Sequence, residues 1–489
     1  MGAFDTRLRF FYFMEIGVIK TRYFGRRVIY SSVNTITRNN VVEVLNKTLD
    51  THRLNRQDIN YLYEYYRGNQ PILQRVKKHR PEINNKIVEN HALEIVDFKK
   101  GYVFGEPIQY VRRGESEEIS ERITQLNEYM FAEDKAAKDK ELAEWFFICG
   151  TAYRMILPDR LAGVDPDESP FEIDTLDPRS TYVVYNSGFG KKPLMAVKYI
   201  KNEEEERVYS IYTKDTYFEI VNDKIIKEDP HVLGDIPIIE YPANNARLGA
   251  FEVVLPLLDA INNITSCRMD GIEQFIQSFM KFINCDIDEE QFLALRELGA
   301  LKIKSDRDLP ADVDIVSKEL NQSQVQVLKD DIYQTVLIIC GMPDRKGGSR
   351  STGDTGQAVL LRDGWSAAEA RAKDTELMFK GPEKRFLRLA LRILKDTANF
   401  NLRLSEIDIK FTRNKTDNLL VKTQGLQNQL EAGIHPQIAI AHSGLYSDPE
   451  QTYLDSLPYL EKWLTAKATS TPSNNKSNPE GVKRGDAFA

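Results

Sequence analysis

The most constraining feature of this chain is the run from Phe251 to Thr397, which reads helix, small insert, helix, glycine-rich loop, long helix. From Phe251 to Ile283 apolar residues recur at Val254, Leu257, Leu258, Ile261, Ile264, Ile272 and Phe275, the spacing of one helical face, and continue through Phe279 and Phe282. Pro256 falls in the first turns, where a missing N–H costs least. The opposite face is polar: Asp259, Asn262, Asn263, Asp270, Glu273, Gln274 and Gln277. A second helix starts near Ser323, a suitable N-cap, runs through Val325, Leu328, Ile332, Val336 and Ile339, and stops at Gly341 and Pro343. The insert, Cys285–Gln322, holds two short candidate strands, Leu301–Ile303 and Val313–Val316.

The loop Asp344–Gly356 is rich in glycine, serine and threonine and can neither pack a core nor hold a helix. It carries three cations, Arg345, Lys346 and Arg350, but lacks the spacing of a phosphate-cradling loop, and no strand precedes it. Its composition also fits a surface linker. From Gln357 to Thr397 the helical pattern is interrupted at Gly364 and at Gly381-Pro382, where a kink is expected. Its second half sets Lys380, Lys384, Arg385, Arg388, Arg392 and Lys395 among apolar residues, the pattern of an amphipathic helix with a solvated basic face.

Composition narrows the function. With 489 residues the chain has room for about three domains. It carries 66 Lys and Arg against 73 Asp and Glu, a net charge of −7, which is the wrong sign for broad electrostatic binding of nucleic acid. Four cysteines, Cys149, Cys267, Cys285 and Cys340, form no C-x-x-C pair, three of them lie in apolar helical surroundings, and they read as buried reduced thiols of a cytosolic protein. The six histidines show no metal-ligand spacing. No run of eighteen apolar residues exists, so no membrane span is expected. The apolar stretch Phe10–Val18 is interrupted by Glu15 and is not followed by a cleavage site, Met1-Gly2 opens only a loose myristoylation match, and Met14 offers an alternative start. No nucleophile elbow, phosphate loop or zinc-protease motif appears, so neither an enzyme nor a cofactor is indicated.

Taken in order, residues 1–40 look like a basic, aromatic arm. Val41–Asn69 reads as two helices, and Asn84–Lys99, Ser116–Phe131 and Asp134–Ile148 as further helices. Tyr102–Tyr110 reads as a turn into an extended segment, and Gly150–Leu157 as a strand. From Phe171 to Tyr241 the period becomes two, with strands at Thr181–Tyr185, Met195–Ile200, Val208–Thr213, Tyr217–Val221 and Ile236–Glu240, an antiparallel meander. Glu203–Glu206 places four carboxylates in one of its turns, the mark of a solvated tip. Glu406–Thr412 is a strand that rejoins the β region, and Leu419–Leu430, Pro436–His442 and Pro449–Leu464 are short helices. Thr465–Ala489 has the composition of a disordered tail. The fold class is α+β, predominantly α.

Several segments together resemble one family. They are Tyr65–Leu73, Asn84–Val88, Ile95–Asp97, Gly101–Pro107, Asp177–Tyr185, and Leu233–Ile239 followed by Asn245-Ala-Arg-Leu-Gly-Ala-Phe-Glu252. In order and spacing they are similar to the portal proteins of tailed double-stranded DNA bacteriophages, in the siphophage branch that infects Gram-positive bacteria. The resemblance extends from about Asn40 to Leu464.

It implies a ring of about twelve subunits at one capsid vertex, a homo-oligomer of closed symmetry. The chain then divides into an N-terminal arm (1–40), a wing of helices and antiparallel β (41–250), stem helix 1 (251–283), a small α/β clip (284–322), stem helix 2 (323–342), a tunnel loop (343–356), a long kinked helix (357–398), a returning wing strand (399–417), an α-helical crown (418–464) and the tail (465–489). Double-stranded DNA is packaged, retained and ejected through the ring. The large subunit of the terminase motor docks first, then the head-completion adaptor, with the major capsid and scaffold proteins as neighbours. By the same resemblance the protein is expected in the virion at the portal vertex, and in host cytoplasm during assembly.

On that reading a strongly basic bore would hold DNA through counterion release, whereas acidic and amide groups leave it mobile. Asp259, Asn263, Asp270 and Glu273 are the expected tunnel lining, or else lie at subunit contacts. Arg345, Lys346, Gly347, Gly348, Ser349 and Arg350 form the expected DNA-facing loop, and Gly381 and Pro382 the helix kink. Clip docking is expected at Glu289, Glu290, Arg296, Lys302, Lys304, Asp306 and Arg307. The rival reading is a capsid or tail component that assembles but conducts no DNA.

Overall fold

The computed structural model describes residues 25–78, 80–113, 117–159, 169–276, 279–283, 312–316, 322–344, 364–413, 419–446 and 449–469. In chain order the main elements of the first unit are β1 (Ile29–Ser31), α1 (Val41–Tyr66), α2 (His91–Phe104), β2 (Gln109–Arg112), α3 (Glu117–Ala132), α4 (Lys135–Cys149), β3 (Thr151–Pro158), β4 (Phe171–Leu176), β5 (Thr181–Asn186), β6 (Pro193–Lys201), β7 (Arg207–Tyr212), β8 (Thr216–Val221), β9 (Lys224–Pro230), β10 (Ile238–Pro242), α5 (Leu255–Ile276), β11 (Phe279–Ile283), β12 (Asp312–Val316), α6 (Gln322–Cys340), α7 (Trp365–Ala398) and β13 (Ile407–Lys410). A second unit, from Lys415 onward, holds α8 (Leu419–Glu431), α9 (Pro436–Ser443) and α10 (Pro449–Thr469). The mixture of helix and sheet agrees with an α+β class.

α1 is one helix where the sequence suggests two. Its buried positions run Val41, Val44, Leu45, Thr48, His52, Asn55, Ile59, Leu62 and Tyr65 without a break. The middle three are polar, which hides the continuity of the stripe. Each is satisfied within the protein: Thr48 Oγ1 donates to the Val44 carbonyl at 2.8 Å, His52 meets the Tyr199 hydroxyl at 3.2 Å, and Asn55 Nδ2 donates to the Arg27 carbonyl at 2.8 Å.

The meander is present and larger than expected. One sheet runs β1-β5-β6-β7-β8-β9, antiparallel except that β1 lies parallel to β5 with Ile29 opposite Val184. Residues 25–40 therefore begin inside the fold, not as a free arm. β9 is an added strand after the Asn222-Asp223 turn, both residues at positive φ as tight hairpins require. β10 leaves this meander and pairs with β3 in the sheet β10-β3-β4, and β13 pairs with β2.

Two further expectations are corrected. The helix assigned to Asn84–Lys99 starts at His91, with the Asn90 side chain accepting from the Leu93 N–H, and continues through Gly101 to Phe104. α5 ends at Ile276, and Phe279–Ile283 is a strand paired antiparallel with Asp312–Val316. Phe279 and Phe282, three apart, match a helical face, but the short apolar run Phe279–Ile283 is equally compatible with a strand, and five residues are too few to decide it. The Val313–Val316 strand appears as read, whereas Leu301–Ile303 lies outside the described residues, as do residues 470–489 of the tail.

α7 crosses the main core. Phe379 is fully buried among Phe104, Phe146, Tyr241 and Phe411, with ring centroids 4.8–6.1 Å apart. Burial of such a ring contributes ~1.5–3 kcal/mol. The helix continues through Gly381 and Pro382. One residue on, Glu383 is fully buried and accepts from the hydroxyls of Tyr110 (2.6 Å) and Tyr241 (2.8 Å), beside Lys135 (2.9 Å) and Arg154 (3.3 Å). Asp139 completes the cluster through Lys135 and Arg154. Burial opposes the Glu383 charge, but Lys135 and Arg154 outweigh it and hold the carboxyl well below the usual range. Lys384, Arg388, Arg392 and Lys395 are exposed, the solvated basic face that the sequence indicates.

Candidate functional site

The central helical pair, α5 and α6, is held to the rest of the unit at three levels. At the base of α5, Glu252 is fully buried and takes hydrogen bonds from the Gly25 N–H (2.9 Å) and the Gly249 N–H (3.0 Å), with Arg26 Nη2 at 2.5 Å. The turn before it crosses the end of α4 backbone to backbone. A Cβ on Gly150, at φ +74°, would strike the backbone of Arg247 and Leu248, and one on Gly249 would strike the Ile148 carbonyl. Ala250 N–H donates to the Phe147 carbonyl at 2.7 Å across the crossing. The segment Asn245–Glu252, one of those carrying the family resemblance, thus owes its Gly and Glu to this junction.

Along α5 the polar face splits in two. Asp259, Asn262, Ser266 and Asp270 form a row at three- and four-residue spacing that faces this chain's own residues. Asp259 Oδ1 accepts from the Tyr65 hydroxyl at 2.9 Å. Asn262 Oδ1 accepts from the Glu89 N–H (2.8 Å), Ser266 Oγ from the Ile87 N–H (3.0 Å), and Asp270 Oδ1 from the Asn85 N–H (2.7 Å). Four residues of helix advance about as far as two of extended chain, so every second N–H of the strap 85–89 finds an acceptor. This ladder is why Asn84–Asn90 is extended: the N–H groups of Asn85, Ile87 and Glu89 are taken by side chains of α5.

Asp270 ends the ladder. It is 4% exposed, with Arg75 and Lys77 both 3.1 Å from Oδ2. Burial raises the cost of its charge, but the Asn85 N–H, Lys77 and Arg75 keep the carboxyl below its ordinary value. Glu273 continues the row one turn on, half-buried and with no partner among the described residues. Asn263 lies off the row and is exposed, as are Pro256 and Cys267. Of the four expected lining residues, Asp259 and Asp270 therefore face this chain's own residues 65–85, while Asn263 faces out. Cys149 and Cys340 are buried as expected, but Cys267, beside Asn263 on the outer side of α5, is exposed, against the expectation of buried thiols.

α6 joins the same assembly. Arg268 Nη1 donates to Gln326 Oε1 at 2.6 Å, Lys329 Nζ to Glu89 at 2.5 Å, the Tyr333 hydroxyl to Glu94 at 2.8 Å, and Lys99 Nζ to the Cys340 carbonyl at 2.7 Å. His91 stacks near Tyr333 between Glu89 (3.3 Å) and Glu94 (2.8 Å). Burial works against its protonation, yet the two carboxylates raise it to about 9. The other side of α6 leaves Val327, Leu328, Ile338 and Ile339 exposed, Ile338 at 77%.

Sequence reasoning missed Arg75, Lys77, Asn85 and Ser266. The available signal was the four-residue spacing of Asn262, Ser266 and Asp270, which separates this row from Asn263. The loop residues Arg345, Lys346, Gly347, Gly348, Ser349 and Arg350, and the clip residues Glu289, Glu290, Arg296, Lys302, Lys304, Asp306 and Arg307, lie outside the described residues. Among the described residues no group of His, Cys, Asp and Glu is arranged to hold a metal ion, and no helix is long and apolar enough to cross a membrane. The buried carboxylates Glu252, Asp270 and Glu383 are all engaged by cations or N–H and O–H donors.

Two comparisons bear on this architecture. Residues 45–470 match the family model described as phage portal protein, SPP1 Gp6-like. The chain is also 23% identical over 401 residues to the portal protein of Bacillus phage SPP1, a match covering 75% of each chain. The family match spans α1 to the end of α10, including the strap, the helical pair and the long helix, and the chain belongs to the phage portal protein family.

Proposed function

We propose that this protein forms the ring-shaped DNA channel of a phage capsid vertex, built from about twelve copies around one axis. The carrying observation is the helical pair. Its inner row is satisfied by its own chain, while an outer face with Asn263 on α5 and an apolar row on α6 is left for other surfaces. In this reading α5 and α6 are the stem, β11 and β12 with residues 284–322 the clip, residues 25–250 the wing, and α8–α10 the crown. Asn263 and Glu273 are the tunnel-lining candidates, because Asp259 and Asp270 serve the strap.

The protein does no covalent chemistry. It supplies the aperture, and the clip is the platform for the terminase large subunit and then for the head-completion adaptor. Capsid and scaffold proteins surround the ring in the virion and, during assembly, in the host cytoplasm. Its net charge of −7 suits a channel that must let a polyanion slide. The loop 343–356, with Arg345, Lys346 and Arg350, acts as a glycine-hinged gasket on the DNA.

Negative-stain imaging with mass photometry of the purified chain tests the ring. Rings with an open bore are the expected result. A closed oligomer without a hole overturns the channel and favours a non-conducting capsid or tail component. Replacing Gly347 and Gly348 by alanine tests the gasket: rings should still form while packaging drops, and normal packaging would refute it.

A further inference from the structure

The β6–β7 hairpin carries opposite charge at its two ends. At its open end, against α7, lies a cleft of about 430 Å³ lined by Lys192, Lys214, Arg385, Arg388 and Arg392, with the single carboxylate Asp235. Arg385 is engaged by Asp235 at 3.0 Å. Arg392 lies over Gly234, where φ is +63° and a Cβ would collide with the guanidinium. Lys192, Lys214, Arg388 and Arg392 are exposed and make no ion pair among the described residues.

The closed end is the acidic turn. Asn202 Oδ1 fixes it by accepting from the N–H groups of Glu204 (3.1 Å) and Glu206 (2.8 Å). Lys201 pairs with Glu205, and Asn222 donates to Glu206 at 2.7 Å. Glu203 and Glu204 are exposed, with no cation beside them among the described residues. The nine residues of β6 separate the two ends by roughly 30 Å.

Two ends of one hairpin cannot meet within a chain, but they meet readily between copies. A contact that joins different patches of successive copies closes into a ring when the rotation allows. We propose that the acidic turn Glu203–Glu206 of one subunit docks in the basic cleft of the next. The inference rests on the ring reading above and identifies its partner as a second copy of this chain. DNA phosphate is the competing anion. Against it, the cleft has a partly apolar floor of Leu233, Ile236 and Leu389 and holds Asp235 among the cations, and its volume suits a few side chains, not a duplex.

The test uses the full chain and two paired variants, Arg388→Glu with Arg392→Glu, and Glu203→Lys with Glu204→Lys. Each pair should lower the ring fraction in mass photometry at low salt about tenfold, and combining all four should restore it. Independently, oxidising a Glu204→Cys, Arg388→Cys chain should give a ladder of linked multimers in denaturing gels that neither single cysteine variant gives. Normal rings from both charge-reversed pairs, or no ladder from assembled rings, overturn the contact and leave the ring reading intact. Loss of DNA retention in the arginine variant alone, with rings intact, assigns the cleft to DNA and also overturns it. An unmodified chain that forms no ring at any concentration removes both.

Discussion

Asp270 binds Asn85 twice, accepting its backbone N–H at 2.7 Å and its side-chain Nδ2 at 3.0 Å, and so fixes the start of the strap to the helix. Asp270→Ala leaves that N–H without its acceptor and strands Arg75 and Lys77. We expect a loss of ~1–3 kcal/mol, read from urea unfolding. Asp270→Asn should cost less, since its amide oxygen keeps the Asn85 bonds. An Asp270→Ala chain as stable as the parent would show that this rung contributes nothing.

Glu383 stands at the centre of a buried cluster in which two cations depend on two carboxylates. Glu383→Gln keeps the shape and removes one charge, leaving Lys135 and Arg154 with Asp139 alone. The expected cost is ~3–5 kcal/mol, visible as a lower thermal midpoint. Replacing all four charged members by apolar residues of similar volume should be far less harmful than this single change.

His91 and His52 give opposite pH signatures. The folded state raises His91 to about 9 from 6.5, so its contribution is complete below pH 6.5 and is lost as pH rises through 9. Burial lowers His52 to about 4, so its contribution is present above pH 6.5 and is lost as pH falls toward 4. Thermal melting across this range should show His91→Gln flattening the alkaline limb and His52→Gln the acid one.

Gly150→Ala should disrupt the junction below α5, because the new methyl meets backbone atoms of Arg247 and Leu248 that cannot swing away, at a φ that L residues rarely adopt. Gly101→Ala, in the last turn of α2 with open space around it, should instead be neutral or stabilising by ~0.4–1 kcal/mol. Parallel expression and melting of the two variants separates packing from propensity.

The sequence was most legible where local and tertiary preferences agree. α3, α4, α6 and most of the meander follow their periodicity to within a few residues. It was least legible where side chains of one element satisfy the backbone of another. Asn84–Asn90 has helix-compatible residues, but the N–H groups of Asn85, Ile87 and Glu89 bond to α5, and nothing within those seven residues signals it. α1 looked divided because its buried stripe passes through Thr48, His52 and Asn55, and the partners that satisfy His52 and Asn55, Tyr199 and Arg27, lie outside the helix. For the site, the polar face of α5 was visible but not its division, since both halves use the same residue types and only the spacing of Ser266 and Asp270 from Asn262 tells them apart.

The strap and helix keep step only approximately. Four helical residues advance ~6.0 Å and two extended residues ~6.6 Å, so the rungs drift by ~0.6 Å each, like the marks of a vernier. Three rungs, from Asn262 to Asp270, stay within hydrogen-bonding tolerance, and further ones fall progressively out of step. At Asp270 long side chains from Arg75 and Lys77 take over from the strap's backbone. The strap thus braces the helix up to that point. A sideways load on α5 is therefore passed to the body wherever the rungs hold, and the helix below Asp270 turns with the strap as one piece.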